Sequence, residues 1–328
     1  MKVLAPLAVL VALLFAASLL IGPADLTPGQ SLAALFGGGG ASEAMVLVMR
    51  EIRLPRALLG LLVGGALGLS GAAMQGFLRN PLAEPGLIGV SGAAALGAVL
   101  ALQTGAALAF ALALPLAALA GAACAVGLIL LLAGPRGSTL TLILAGIAVS
   151  ALAGALTALV LNLSPNPYAA TEMMFWLMGS LADRSMQHVW LAAPPILLGC
   201  AALLRLGRGL DALTLGEDAA AAMGIRPTRL RITLILGTAA AVGAATAVAG
   251  AIGFVGLVVP HLLRRAVGAR PSALLPASAL GGAAMVLAAD IAVRLIAPAR
   301  DLQLGVLTSL VGAPLFLHLI WRSRRDEA

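Results

Sequence analysis

Apolar residues run for 17 or more positions at several places along the chain, and short clusters of Arg, Asp, Glu, Pro and Gly punctuate the runs. A run of that length crosses a hydrocarbon core of about 30 Å as a helix. Strands of a membrane barrel alternate polar and apolar residues, and these runs do not. The pattern predicts an all-α integral membrane protein, a single transmembrane domain over 1–328, with helices near 3–22, 57–78, 86–103, 106–133, 140–162, 188–204, 273–295 and 303–321. One stretch resists assignment. Ile232 to Leu263 holds 32 residues without a charge, about 48 Å as a single helix, too long for one span and short for two.

Basic residues decide between one span and two. Splitting the stretch near Gly250 to Gly253 gives ten transmembrane helices with both termini on one side, and puts 14 of the 20 Lys and Arg residues on that side. Leaving it whole flips everything after it, and the same residues divide 10 to 10. Cytoplasmic loops carry an excess of Lys and Arg, so ten spans with both termini cytoplasmic are expected. Five is odd, so two five-helix halves run in opposite directions, as in an inverted repeat. The break at "NPLAEPG" (80–86) and the turn at Gly250 to Gly253 fall between the second and third spans of their respective halves.

Composition agrees with this picture. Apolar residues make up 61% and charged residues 10% of the chain, against about 25% charged in a soluble domain. The 39 glycines suit helices that approach closely in lipid. A net charge of +7 raises the question of nucleic acid, but the basic residues are scattered over short loops, and membrane orientation explains them. Cys124 and Cys200 lie in apolar runs without a second ligand at metal spacing, and read as buried small residues; no metal site is expected. The start at Met1-Lys2 followed by an apolar stretch to Ile21 reads as an uncleaved first helix rather than a signal peptide.

Six basic residues break the charge rule by falling outside: Arg50, Arg53, Arg56, Arg184, Arg294 and Arg300. They read either as anchors of helix ends, with Arg294 pairing with Asp290 one turn earlier, or as a basic outer rim that docks an acidic partner. On the inner side, the loop 205–231 contains Thr214 and Glu217 at capping-box spacing, a helix-favouring run from Ala219 to Met223, and a stop at Gly224 with Pro227. This predicts a short surface helix, either a solvated connector or a knob for a cytoplasmic protein. Lys2 is the only lysine, so no Walker motif exists here to bind ATP. Glu84, Asp290, His261 and His318 lie near helix ends or breaks, and no buried acidic relay for ion coupling is expected. Gly68-Leu69-Ser70-Gly71 and Gly89-Val90-Ser91-Gly92 match the serine motif of rhomboid-type intramembrane proteases, but small-residue packing explains such matches in a glycine-rich chain.

The stretch "RLPRALLGLLVGGALGLSGAAMQGFLRNPLAEPGLIGVSGAA" resembles the FecCD-type permeases, the membrane subunits of ABC importers for ferric siderophores, haem and vitamin B12. So do "LGEDAAAAMGI", "GAIGFVGLVVPHLLRRAVG", "LLPASALGGAAMVLAADIAVR" and "GVLTSLVGAPLFL", in order over nearly the whole chain. The resemblance implies a homodimer in a bacterial inner membrane with its pathway on the two-fold axis. It also implies two copies of a cytoplasmic ABC ATPase carrying the ATP and Mg, and one periplasmic substrate-binding protein. No cofactor is implied for this chain itself. Arg53, Arg56 and Arg294 match arginines that meet acidic residues of the binding protein. Leu215, Gly216, Glu217, Asp218, Ala219, Met223 and Gly224 match the element that couples to the ATPase. Ser138 and Thr139 fall where a vitamin B12 permease has its inner gate, and Asn80 and Pro81 of the break are grouped with them as gate or translocation residues.

The implied cargo is haem first, then ferric siderophore, with a corrinoid as the alternative; an ion-coupled carrier and a rhomboid-like protease are the remaining readings. Two departures stand out. Asp301-Leu302-Gln303-Leu304-Gly305 lacks the family's proline, and "VGARPSALLP" lacks the usual acidic-histidine pair.

Overall fold

The computed structural model describes residues 3–37, 41–134, 138–297 and 302–326. Among the described residues the chain is helical and has no strand. The first part runs α1 (Leu4–Leu20), α2 (Pro28–Phe36) and α3 (Glu43–Leu47), which continues through a π-helical turn over Val48–Arg53 into α4 (Leu54–Leu78). A 3₁₀ turn at Pro85–Ile88 leads into α5 (Val90–Gln103), followed by α6 (Ala113–Ala133), α7 (Thr139–Asn162) and α8 (Pro167–Leu177). The second part comprises α9 (Met186–Leu204), α10 (Gly207–Leu213), α11 (Glu217–Ala222), α12 (Pro227–Ala249), α13 (Val255–Arg264), α14 (Pro271–Ile296) and α15 (Leu304–Asp326).

Among the described residues, six helices are long and apolar enough to cross a membrane: the continuous Glu43–Leu78, α6, α7, α9, α12 and α14. Four shorter apolar helices accompany them: α1, α5, α13 and the Leu304–Leu317 part of α15. The ambiguous stretch divides where the distribution of basic residues put the break. Helix α12 stops at Ala249, Gly250 takes φ 70°, and α13 begins at Val255. Helices α5 and α13 are both short, and each follows a break in the chain.

Burial separates the centre from the rim. Glu43–Leu78 and α12 are mostly buried inside the bundle, whereas α6, α7 and α9 are mostly exposed at its rim. The centre is built on small residues. A Cβ at Gly64 or Gly68 would run into the carbonyls of Gly282 and Ser278, so α4 and α14 cross backbone to backbone. Lipid offers no hydrophobic drive between helices, and this close van der Waals approach is what holds the pair.

Three expectations need correction. The charged start of the second span is itself helical: Arg50 to Arg56 lie in the π turn and the first turn of α4, because a helix tolerates charges where they find partners at its end. The third span begins at Val90 rather than 86, since Pro85 opens a 3₁₀ turn and Gly89, at φ 76°, starts the helix afresh. Cys124 is exposed on the outer surface of α6 rather than buried, and Cys200 is half-buried. Helices α2, α8 and α10 have no counterpart among the expected spans. Local signals for two of them exist: Thr27 and Gln30 form a complete capping box before α2, and Asn166 caps α8 ahead of Pro167.

Candidate functional site

At the end of the bundle that the charge distribution marks as outer, α1 stops at Leu20 and leaves its last carbonyls without helical partners. Arginines take them. Arg53 Nη1 donates to the carbonyls of Leu19 (3.0 Å) and Leu20 (2.9 Å), and its Nη2 to that of Ala24. Arg294 Nη1 donates to the carbonyls of Ser18 (2.9 Å) and Ile21 (2.6 Å), and Nη2 to Ser18 Oγ (2.6 Å). Positive charge at a helix C-terminus is favourable in its own right.

Asp290, 1% exposed, lies beside Arg294. Arg56 holds it as a fork, with Nε at 2.9 Å from Oδ1 and 3.1 Å from Oδ2, and Nη2 at 2.9 Å from Oδ1. Arg294 Nη2 lies 2.9 Å from Oδ2. The cluster therefore ties α1, α4 and α14 together with three guanidiniums, one carboxylate and a helix end. Arg53 and Arg294 are 3% and 9% exposed and point inward. The side chain of Arg56 keeps 18% of its surface, and Arg50, exposed, donates Nε to the Leu35 carbonyl at 3.1 Å. Of the three arginines grouped as a docking rim, only Arg56 shows an open edge. Arg300 and Asp301 lie outside the described residues.

At the opposite end lies the loop 205–231, which is two helices rather than a free connector. Helix α10 buries Leu210 and Leu213, and Gly76 of α4 rests on Leu210. Asp211 reaches across to α14: Oδ1 accepts from the Ser272 backbone N–H at 2.8 Å, and Oδ2 from Arg270 Nε at 3.1 Å. Helix α14 has no cap of its own, so α10 supplies it. Partial burial pushes the Asp211 carboxyl up, but the hydrogen bonds from Ser272 and Arg270 and the Arg270 charge outweigh that and hold it below the ordinary carboxylate range.

The expected capping box does not form. Thr214 Oγ1 donates to the Asp211 carbonyl at 2.6 Å, closing α10, and the N-cap of α11 is Gly216 at φ 106°, whose backbone needs no side-chain cap to turn the chain. The expected stop does form. Gly224 takes φ 82°, its N–H bonds to Ala221 and that of Ile225 to Ala220, a Schellman closure. Helix α11 carries Glu217 and Asp218 exposed in its first turn, with Leu215 at 69% and Met223 at 64% exposure on either side.

The gate candidates are turn residues. Ser138 caps α7, accepting from the Thr141 N–H at 3.1 Å, and Thr139 opens the helix; residues 135–137 lie outside the described chain. Asn80 Oδ1 accepts from the Leu82 N–H at 2.9 Å, and Asn80 and Pro81 are exposed. No hydrogen bond joins the two pairs among the described residues. The break and α7 meet further along, where Gly146 lies against the Leu87 carbonyl.

A family model described as the FecCD transport family matches residues 10–322. The cobalamin import system permease protein of Halobacterium salinarum is 41% identical over 290 residues, 88% of this chain and 77% of the relative. The hemin transport system permease protein of Yersinia pestis is 39% identical over 291 residues, 88% of this chain and 87% of the relative. A solved structure described as a metal-chelate type ABC transporter in an inward-facing conformation superposes with a TM-score of 0.86 at 34% identity, covering 98% of this chain and 99% of that one.

Proposed function

The chain belongs to the FecCD transport family, and from that premise we propose that it is the membrane half of a haem importer of the bacterial inner membrane. It is a multi-pass permease subunit of an ABC importer, and ATP hydrolysis belongs to a separate ATPase. The cargo reading rests on the relatives: one imports cobalamin and another hemin, both metal-bearing tetrapyrroles. Haem is the proposed cargo, with a ferric siderophore and a corrinoid as the competing chelates.

The observation that carries the coupling role is α11, with Leu215 and Met223 exposed beside two carboxylates, set on α10, which packs on α4 and caps α14. A push on that knob reaches α14 through Asp211, and α14 is a rod of about 39 Å that ends in the Asp290 cluster. The proposed assembly is a homodimer with two ATPases at its α11 knobs and one binding protein on its outer face. Arg56 is the proposed contact for an acidic residue of that protein, with Arg294 sharing Asp290 beneath it and Arg53 tying the end of α1 alongside.

The test of cargo is the binding protein that co-purifies with the outer face. A Soret absorbance in that protein, and ATP-dependent uptake of the same pigment, supports haem; a corrinoid or ferric catecholate spectrum replaces it.

A further inference from the structure

Although the break at 80–86 and the turn at 250–254 belong to different halves of the chain, they touch. The Phe254 backbone N–H donates to Glu84 Oε1 at 3.3 Å. A Cβ on Gly256 would lie 2.7 Å from Pro85 Cδ, so the Pro85 ring packs directly against the Gly256 backbone as well. Phe254 holds φ at 67°, a left-handed conformation that a bulky residue keeps only when its surroundings impose it. Two surroundings do so. The Phe254 ring fills the space over Gly312 of α15, where a Cβ would collide with it, and Glu84 takes the Phe254 N–H, for which α13 has no capping side chain of its own.

The 3₁₀ turn that follows Glu84 is wedged on its other side against α7, where Gly146 meets the Leu87 carbonyl and Ser150 Oγ donates to the Gly86 carbonyl at 3.5 Å. Buried Gln75 of α4 completes the contact. Its Nε2 donates to the Leu257 carbonyl at 3.2 Å, and its Oε1 accepts from Arg264 Nη2 at 2.8 Å. The next residue, Gly76, rests on Leu210 of the coupling segment. A contiguous line of contacts thus runs from α10 through α4 and α13 to Glu84 and on to α7, the helix that Ser138 opens.

We infer that Glu84 is a positioning residue of the permease, latching the break of the first half to the strained turn of the second, and that the latch opens when the pathway changes its access. This rests on the importer reading only for its consequence in transport; the latch itself is a property of the chain. What the latch requires is an acceptor at the right reach, not a charge. Glutamine keeps the reach and loses the charge, whereas aspartate keeps the charge and falls one methylene short.

Hydrogen exchange at the Phe254 and Val255 amides of the purified permease in nanodiscs reads the latch without cargo or ATPase. Glu84→Ala and Glu84→Asp should speed exchange there by about five- to tenfold, the loss of one ordinary hydrogen bond, and Glu84→Gln should stay near the parent. In the complete importer, Ala and Asp should lower uptake per ATP hydrolysed, with subunit assembly intact. Phe254→Gly in the Glu84→Ala background should restore part of that coupling, because glycine takes this φ without strain. Parent-like exchange in both Ala and Asp variants overturns the latch, and so does the reverse order, with Asp normal and Gln defective. Faster exchange in a chain that imports nothing would leave the latch standing and remove the importer reading.

Discussion

Replacing Asp290 by Asn leaves Arg56 and Arg294 without their carboxylate while the shape of the site is kept. Removing one partner of a buried ion pair costs about 3–5 kcal/mol, because the other charge stays buried and unpaired. Here the two partners differ. The Arg294 side chain is 5% exposed and cannot turn to water, whereas Arg56, at 18%, has an open edge to solvent. Arg53 does not touch Asp290, and its bonds to the α1 carbonyls survive. The loss should therefore fall near the lower end of that range, about 3 kcal/mol. Equilibrium unfolding in detergent, followed with the fraction of assembled protein, measures it. Adding Arg294→Gln to Asp290→Asn removes the stranded charge, so the double variant should be more stable than the sum of the two single losses predicts. Stability of Asp290→Asn within about 0.5 kcal/mol of the parent, or strict additivity in the double variant, would refute a buried cluster that ties α1 to α4 and α14.

Gly68→Val places side-chain atoms against the Ser278 carbonyl and should abolish assembly of the α4–α14 pair, read as loss of folded protein on expression. Gly224→Pro breaks the Schellman closure, and Glu217→Lys reverses a charge in the first turn of α11; both should leave the permease assembled but separate ATP hydrolysis from uptake, and unchanged coupled transport in both would make α11 a mere connector. Asp211 titrates below the ordinary carboxylate value when folded, so its stabilisation is fully present above the unfolded value near 3.8 and is lost only as pH falls through the folded one. Asp211→Asn should accordingly loosen the N-terminus of α14 by hydrogen exchange at pH 7, with a difference that shrinks below about pH 4.

The spans were legible because the apolar runs exceed the membrane thickness, and the division of Ile232 to Leu263 followed from length and charge alone. Arg53, Arg56 and Arg294 could be picked out as exceptions to the charge rule, but their distant partners could not. Arg53 and Arg294 spend their donors on the carbonyls of Ser18 to Ile21, and no pattern in sequence marks a backbone acceptor more than 30 residues away. The segment 205–231 shows the same divide. Gly224 as a stop is a local property of a residue that takes positive φ, and it was readable; the tie of Asp211 to Ser272 joins residues 61 positions apart, and it was not. The contact of Glu84 with Phe254 spans 170 residues and joins two breaks whose correspondence was visible only as a matching position in the two halves.

The central claim is tested most directly by placing the purified permease in liposomes with its ATPase and its binding protein, and following haem into the lumen. Uptake that needs ATP, the ATPase and the binding protein together, and that leaves the permease alone without ATP hydrolysis, is the predicted result. Haem or ion-coupled solute uptake driven by a proton gradient in vesicles that contain this chain and no ATPase would contradict it.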